Sequence, residues 1–178
     1  MSSVLPQPAP GFDQPIDALI ACHERMTKQL GILTRLPQHL AQHGADAEAQ
    51  RAAAAVLRYF DRSAPHHHQD EEVDLFPRMA VHAVEDDVRN VSILTAALRE
   101  EHVAMAEAWE RLRPAVEAVS LGKSEALDAE NFVARYRDHI AREEAELFPL
   151  ARKLLSAEDY RAIGEAMAAR RGLPPPGS

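Results

Sequence analysis

The sequence predicts an all-α protein, an up-down-up-down four-helix bundle with a short C-terminal fifth helix. Long segments rich in Ala, Leu, Glu and Arg repeat their apolar residues at helical spacing, and no stretch shows the β-branched alternation of a strand. Short polar breaks such as "HGAD" and "LGKS" separate these segments. Connections this short make neighbouring helices antiparallel, which is the arrangement found in a bundle.

The composition predicts one domain between two short tails. The chain has 178 residues, of which 46% are hydrophobic, and this content supports one ordinary core. Seven of the twelve prolines fall within the first fifteen or the last five residues, in stretches such as "PQPAP" and "LPPPGS". We therefore predict disordered tails at residues 1–12 and 171–178 and a bundle domain at residues 13–170.

The first two helices are separated by the break that contains Gly44. The first is predicted to begin at Asp13 as its N-cap, with Pro15 in the first turn, and to end near Gly44. The second is predicted over about residues 46–82. Because the ring of Pro65 removes a backbone hydrogen bond and clashes with the preceding turn, we expect this helix to bend there.

The remaining helices follow from the same spacing of apolar residues. The third is predicted over about residues 87–119 and the fourth over about residues 124–155. Ser156, with Asp159 three residues further on, has the pattern of a capping box. A short fifth helix is therefore expected to begin after Ser156.

A repeat within the second and fourth helices indicates where the chemistry lies. The stretch "HHQDEEVDLFP", which begins at His67, aligns position for position with "HIAREEAELFP", which begins at His139. Glu71 and Glu143 occupy equivalent positions, each four residues after its histidine. This spacing places each histidine and glutamate on one helix face, about one turn apart, as a single metal cluster requires.

The first and third helices each add one histidine to the predicted core, His23 and His102. Counted along antiparallel helices at about 1.5 Å per residue, these two and the repeat histidines fall at one level of the bundle. Buried carboxylates need a partner or a metal ion, so a metal centre is the simplest explanation for these side chains. Two glutamates that bridge two ions would leave two histidines for each ion.

Other polar residues near this cluster are predicted to be less important. A solvated helix face is expected for His66, His68, Asp70, Glu72, Asp74, Glu144 and Glu146, with His68 or Glu72 as alternative partners of the ligands. The pair His68 and Glu72 also has the four-residue spacing, but only the His67 and Glu71 frame continues into the apolar seam. Surface positions near helix ends are expected for His39, His43 and His82, and core positions lining the pocket for Trp109 and Tyr136.

Charge and cysteine content exclude several classes of function. The formal net charge of -8 leaves no basic footprint for nucleic acid or an anionic membrane surface. Cys22 is the only cysteine, which excludes an internal disulfide framework and fits a reducing compartment. Its side chain is expected to point away from the face of His23. The N-terminus shows neither a basic start nor an apolar stretch, so a cytoplasmic protein is expected.

These residues and motifs resemble the hemerythrin-like, or HHE cation-binding, family over about residues 13–155. The resemblance implies the four-helix bundle and a non-haem di-iron centre with an oxo or hydroxo bridge; the donor types also suit zinc. Matching the family's motif to this sequence implies six metal ligands: His23, His67, Glu71, His102, His139 and Glu143.

Two departures distinguish the sequence from oxygen-carrying hemerythrins. Those proteins have a second histidine four residues from the first on the third helix, whereas Leu98 and Ala106 occupy both candidate positions here. Their fourth helix carries a histidine and an aspartate five residues apart, where this chain has His139 and Glu143. Simple reversible oxygen storage is therefore not expected, and Glu107, His39 or Glu144 are candidates for a seventh ligand.

Three functions remain open at this point. The leading prediction is a di-iron protein that binds or senses oxygen, peroxide, nitric oxide or iron itself, so its partner is a small diatomic or peroxide ligand. The second is a di-iron enzyme with catalase-like or iron-centre repair activity, in which Tyr136 or a pocket carboxylate moves protons. The third is a structural metal module for protein-protein interaction.

Overall fold

The computed structural model describes residues 11–177, and among these it contains five helices and no strand. The first helix spans Pro15–His43, and the N–H of Gly44 closes it on the carbonyl of Leu40 at 2.9 Å. Gln14, and not Asp13, is the N-cap residue, and its side chain makes no capping hydrogen bond. The predicted Asp13 cap was therefore wrong, although Pro15 does lie in the first turn as expected.

The second helix continues through residues 47–82 without an interruption. Its N-cap is Asp46, whose carboxylate accepts hydrogen bonds from the backbone N–H groups of Glu48 and Ala49. The helix consists of α-helical and π-helical segments in the order Ala47–Arg58, Tyr59–Ser63, Ala64–Gln69, Asp70–Leu75 and Phe76–His82, of which the second and fourth are π-helical. The chain thus remains helical through Pro65, with a wider turn just before it.

Each π-helical segment in the described residues ends two positions before a proline. The prolines are Pro65 and Pro77 in the second helix and Pro149 in the fourth. A proline lacks the N–H that would bond four residues back, and its ring crowds that carbonyl. One extra residue in the turn relieves this clash, so these prolines explain where the helices widen.

The third, fourth and fifth helices complete the fold. The third spans Asp86–Ser120, the fourth combines Glu130–Arg142, Glu143–Leu147 and Phe148–Leu154, and the fifth spans Ala157–Arg170. The side chains and backbones of Ser156 and Asp159 form the predicted capping box before the fifth helix. The fourth helix begins six residues later than predicted, because residues 123–129 pack Leu127 and Ala129 into the core as non-helical chain.

The core divides into two apolar clusters with the polar residues between them along each helix. One cluster contains Met26, Phe60, Met105, Phe132 and their neighbours, and the other contains Leu19, Leu75, Leu98, Leu147 and theirs. On each of the first four helices, the candidate site residue or residues fall between these two sets. The site is therefore enclosed by apolar packing at both ends.

The fifth helix covers the outer side of the second. Asp70 is fully buried and pairs with both Arg170 and Arg171, while Asp74 accepts a 2.6 Å hydrogen bond from Arg170. The prediction of solvated positions for Asp70 and Asp74 was therefore wrong. Their positions are buried because a helix distant in sequence packs over them and supplies two guanidinium groups.

The fifth helix also contacts the N-terminal end of the described chain. A Cβ atom at Gly164 would lie 1.9 Å from the carbonyl oxygen of Phe12, so only glycine fits at this position. The guanidinium of Arg171 lies 5.2 Å from the centre of the Phe12 ring. Residues 1–10 and 178 of the predicted tails lie outside the described residues, and disorder of the tails stays a prediction.

No helix among residues 11–177 is both long enough and apolar enough to cross a membrane.

Candidate metal centre

All six predicted ligands meet in one buried cluster at the middle of the bundle. They are His23, His67, Glu71, His102, His139 and Glu143, and each is at most 4% exposed. Two groups of four potential ligands can be distinguished, one with His23 and His67 and the other with His102 and His139. Both groups contain Glu71 and Glu143, and within each group the ligand atoms lie within 4.8 Å of one another. Their role as ligands itself stays a prediction.

The local helix geometry is the same at both glutamates. Glu71 lies in the π-helical segment Asp70–Leu75, and Glu143 begins the π-helical segment Glu143–Leu147. Short π-helical turns inside α-helices occur frequently at functional sites. The internal repeat in the sequence therefore corresponds to a repeat in backbone structure.

The imidazoles face each other in pairs through their Nε2 atoms. The Nε2 atoms of His23 and His67 are 3.1 Å apart, and those of His102 and His139 are 3.2 Å apart. The first pair joins the first and second helices, and the second pair joins the third and fourth. Two ring nitrogens this close together are well placed to bind one cation.

Carboxylates outside the cluster fix the tautomer of three imidazoles. The Nδ1–H groups of His23, His102 and His139 donate to Glu144 at 3.1 Å, to Glu72 at 2.6 Å and to Glu101 at 2.8 Å. A proton held on Nδ1 leaves Nε2 free to coordinate, and an anionic acceptor makes the ring a stronger donor to a metal. The sequence indicated Glu72 as an alternative partner of the ligands, whereas it gave no indication of Glu101.

The two central glutamates each direct one oxygen to each imidazole pair. Oε1 of Glu71 lies 3.3 Å from His67 Nε2, and its Oε2 lies 3.4 Å from His102 Nε2. Oε2 of Glu143 lies 3.0 Å from His23 Nε2, and its Oε1 lies 3.0 Å from His139 Nε2. This division would let each glutamate contribute one oxygen to a metal ion at either imidazole pair.

The same oxygens are the clearest sign that these residues fit a metal. All four are buried and make no hydrogen bond of good geometry, although imidazole nitrogens lie 3.0 to 3.4 Å from them. A buried carboxylate without hydrogen bonds is strongly destabilising. Metal ions between the glutamates and the imidazole pairs would satisfy all four oxygens at once.

The electrostatics of the metal-free cluster reflect close packing of acids and bases. Burial lowers the pKa of His102, but the neighbouring Glu143 and Glu71 carboxylates outweigh it and raise the pKa to about 10. Burial likewise opposes charge on Glu143, but the His139, His102 and His23 imidazoles hold its pKa well below the usual range. Without metal, protons on the imidazoles are what compensates the buried carboxylates.

Metal binding is expected to release protons. At pH 7 the His102 imidazole is cationic, with a proton on each ring nitrogen, because its pKa of about 10 lies above that pH. An imidazole that coordinates a metal must be neutral, so it has to lose one of these protons. We expect at least one proton to leave each chain on metal binding at pH 7, and the affinity to rise up to about pH 10. Calorimetry of Co²⁺ binding in buffers of different ionisation enthalpy measures this release.

The stability of the metal-free protein provides the matching check. Because the pKa of His102 is higher in the folded protein than the value of about 6.5 expected in the unfolded chain, protonation of His102 stabilises the fold. This contribution is complete below about pH 6.5 and is lost as the pH rises through about 10. The metal-free protein should therefore become less stable from about pH 6.5 to pH 10 in denaturant titrations. Binding heats that do not depend on the buffer would contradict the expected proton release.

Cys22 occupies the position that a carboxylate holds in the other half of the centre. Cys22 precedes His23 as Glu101 precedes His102, and it lies beside His67, whose Nδ1 has no hydrogen-bond partner. Burial raises the pKa of the Cys22 thiol, but the neighbouring His67 imidazole outweighs it and lowers the pKa to about 6. The thiol adjoins His67 and lies 3.3 Å from the Tyr59 hydroxyl, and its predicted orientation off the face of His23 stays a prediction.

The three candidates for a seventh ligand lie outside the clustered ligand set. Glu107 is exposed and pairs with Arg111. The Nε2 atom of His39 is hydrogen-bonded to Oδ1 of Asp46 at 3.0 Å. Glu144 contacts the centre only through Nδ1 of His23. None of the three belongs to the groups of potential ligands within residues 11–177.

The remaining polar residues occupy varied positions. Exposed positions are observed for His43, His82, Glu144 and Glu146, and half-buried ones for His39, His66, His68 and Glu72. Trp109 and Tyr136 are core aromatics as predicted. Trp109 donates its Nε1–H to Asp61 at 2.9 Å, and the two aromatic side chains line one small cavity together with His68.

A bundle that collects buried histidines and glutamates from four helices defines a class of helical metal-binding proteins. Residues 14–151 match the family described as the hemerythrin HHE cation binding domain. The chain is also 32% identical over 174 residues to an uncharacterised protein of Haemophilus influenzae, covering 96% of this chain and 98% of that protein. This chain therefore belongs to the hemerythrin HHE cation-binding family.

Proposed function

We propose that the protein is a non-haem di-iron protein that binds or senses oxygen, peroxide, nitric oxide or iron at the buried centre. The observation that carries the proposal is the division of the carboxylate oxygens. Each of Glu71 and Glu143 directs one oxygen to each imidazole pair, and all four oxygens have no hydrogen-bond partner. Two ions, each with two imidazoles and two carboxylate oxygens, match this arrangement.

The donor set favours a transition metal. Calcium and magnesium prefer oxygen ligands, whereas four imidazoles and two carboxylates suit iron and its neighbours. Helical bundles that bury such carboxylate-containing pairs use iron repeatedly. A bound iron pair would supply reversible redox change and open coordination positions for a small ligand.

The protein's own residues define what such a centre can do. The outer carboxylates Glu72, Glu101 and Glu144 hold the imidazole tautomers, and the apolar clusters on both sides exclude bulk water. A site enclosed in this way admits only small molecules. This property supports a diatomic, peroxide or metal-ion ligand more than a large organic substrate.

Metal quantification with optical titration tests the proposal. Protein produced in iron-rich medium should contain about two iron ions per chain, and oxygen or nitric oxide added anaerobically to the reduced form should produce a new visible band. Rapid and repeated peroxide consumption would identify an enzyme instead. Metal that stabilises the fold but reacts with none of these ligands would indicate a structural module, and the absence of stoichiometric transition metal would overturn the proposal.

A further inference from the structure

The hydrogen bonds around the centre repeat together with the helices. Glu72 of the second helix accepts a hydrogen bond from Nδ1 of His102 at 2.6 Å, and Glu144 of the fourth helix accepts one from Nδ1 of His23 at 3.1 Å. Glu72 and Glu144 occupy equivalent positions of the internal repeat. These two hydrogen bonds are therefore related by a pseudo-twofold symmetry that exchanges the second helix with the fourth and the first with the third.

The same symmetry predicts a partner for the fourth imidazole. Glu101, in the position before the histidine of the third helix, accepts a hydrogen bond from Nδ1 of His139 at 2.8 Å. The corresponding position on the first helix is Cys22, and the counterpart of His139 in the repeat is His67. A sulfur atom thus stands where the other half of the centre has a carboxylate.

The surroundings of His67 agree with this relation. Its Nδ1 atom is buried and has no hydrogen-bond partner, while its Nε2 atom faces Nε2 of His23 at 3.1 Å. Burial lowers the pKa of His67, but the neighbouring Glu71 carboxylate and the Cys22 thiol outweigh it and raise the pKa. The thiol therefore lies close enough to this ring to act on its proton.

Tyr59 holds the side chain of Cys22 in place. The Tyr59 hydroxyl donates to the backbone carbonyl of Cys22 at 3.0 Å and lies 3.3 Å from the sulfur. Cys22 is 6% exposed and Tyr59 is 9% exposed, so protein atoms surround the sulfur. A sulfur atom in this position can accept a hydrogen bond, although it is a weaker acceptor than a carboxylate oxygen.

We propose that Cys22 is a positioning residue whose sulfur accepts the Nδ1–H hydrogen bond of His67 when Nε2 of that ring binds metal. The sulfur then keeps the proton on Nδ1 and fixes the plane of the ring, as Glu101 does for His139. The groups of potential ligands within residues 11–177 do not include Cys22, so the sulfur acts through the imidazole and not on the ion. This inference rests on the proposed function, because it takes His67 as a metal ligand.

Imidazole nitrogen NMR of the Zn²⁺-loaded protein tests the contact directly. Cys22→Ala removes the acceptor, whereas Cys22→Ser keeps an acceptor atom in nearly the same shape. In Cys22→Ala we expect the Nδ1–H signal of His67 to shift and to exchange with water about tenfold faster, which is the effect of losing one hydrogen bond. The signals of the other three coordinating imidazoles should stay unchanged, and Cys22→Ser should restore most of the protection.

Cobalt titration measures the consequence for metal binding. One of the two Co²⁺ affinities should be about tenfold weaker in Cys22→Ala and close to wild type in Cys22→Ser. Val56→Ala is the matched control, because Val56 is buried in the same apolar cluster about three turns before His67 and loses volume without losing a polar atom. This control should lower the stability but leave both affinities and every Nδ1–H signal unchanged.

The possible outcomes separate this inference from the proposed function. An unchanged His67 signal in Cys22→Ala, or two bound ions with wild-type affinities, would show that the sulfur does not hold this imidazole. A sulfur-to-cobalt charge-transfer band that Cys22→Ala abolishes would make the sulfur a ligand and overturn the positioning role. Wild-type protein that binds neither Co²⁺ nor Zn²⁺ stoichiometrically would overturn the proposed function and this inference together.

Discussion

Glu143→Gln will weaken metal binding in both halves of the centre at once. The two oxygens of Glu143 lie 3.0 Å from His23 Nε2 and from His139 Nε2, one oxygen to each imidazole pair. Glutamine has almost the same shape but is neutral, so each proposed ion loses an anionic ligand while the packing stays the same. Since loss of a group that merely orients a ligand costs 10–100-fold in affinity, we expect more than about 100-fold here.

The measurement is Co²⁺ affinity and bound iron per chain, with Glu146→Gln as the matched control. Glu146 lies three residues further along the same helix and is exposed, so the same chemical change there should leave both quantities unaffected. The iron content of Glu143→Gln should fall below one ion per chain. A variant that retains two ions with wild-type affinity would show that Glu143 does not bridge them.

Glu143→Gln should also alter the metal-free protein in a defined direction. The Glu143 carboxylate helps to raise the pKa values of His102 and His139. Removal of its charge lets burial lower both pKa values, so the variant should release fewer protons on binding Co²⁺ at pH 7. A smaller proton release by a variant that is still folded would show that the substitution acts through electrostatics and not through a general loss of folding.

The six clustered residues could be predicted because repetition and helical periodicity are local properties of the sequence. The two aligned copies selected His67 and Glu71 from a stretch with several histidines and acids. The same helical spacing placed His23 and His102 in the apolar seam. The structure confirms the all-α fold and the capping box at Ser156, both of which depend on short-range patterns.

The residues whose roles the sequence did not reveal depend on contacts between distant segments. Asp70 has the local pattern of a solvated helix position, and only the packing of Arg170 and Arg171 against it makes it buried. The predicted start of the fourth helix was too early, because Leu127 and Ala129 pack into the core as non-helical chain. Such packing is determined by tertiary structure and leaves no periodic trace in the sequence.

The two halves of the centre are related by the repeat but are not equivalent. Cys22 replaces the carboxylate that Glu101 supplies in the other half, and Ile140 replaces His68. In one half both imidazoles are supported by carboxylates, Glu72 and Glu101, whereas the other half has one supporting carboxylate, Glu144, together with a thiol and an apolar side chain. In the proposed two-ion centre, the two ions would therefore lie in different surroundings.

Simultaneous replacement of Arg170 and Arg171 by alanine should destabilise the fold by about 3 kcal/mol. Asp70 is fully buried, and these two guanidinium groups are its side-chain partners across the described residues. Without them the carboxylate is a buried charge with no compensation. Denaturant unfolding of the metal-free protein measures the free energy, which avoids any contribution from metal binding.

A third substitution distinguishes a buried charge from the loss of helix packing. Adding Asp70→Asn to the double variant removes the fully buried uncompensated charge, so part of the lost free energy of unfolding should return, although Asp74 also loses Arg170. The exposed pair of Arg161 and Glu165 provides the control, since Arg161→Ala should change the free energy by less than about 0.5 kcal/mol. No recovery on adding Asp70→Asn would mean that the arginines act through packing alone.

The same arginine pair should also influence the metal centre. Asp70 directly precedes Glu71, and both lie in the π-helical segment Asp70–Leu75. Loss of the contacts to the fifth helix frees this wider turn and with it the carboxylate of Glu71, which would serve both ions. The double variant should therefore bind Co²⁺ more weakly than wild type under conditions where both are folded, and the Asp70→Asn triple variant should recover stability more fully than affinity. Equal recovery of both would show that the fifth helix supports the fold without orienting Glu71.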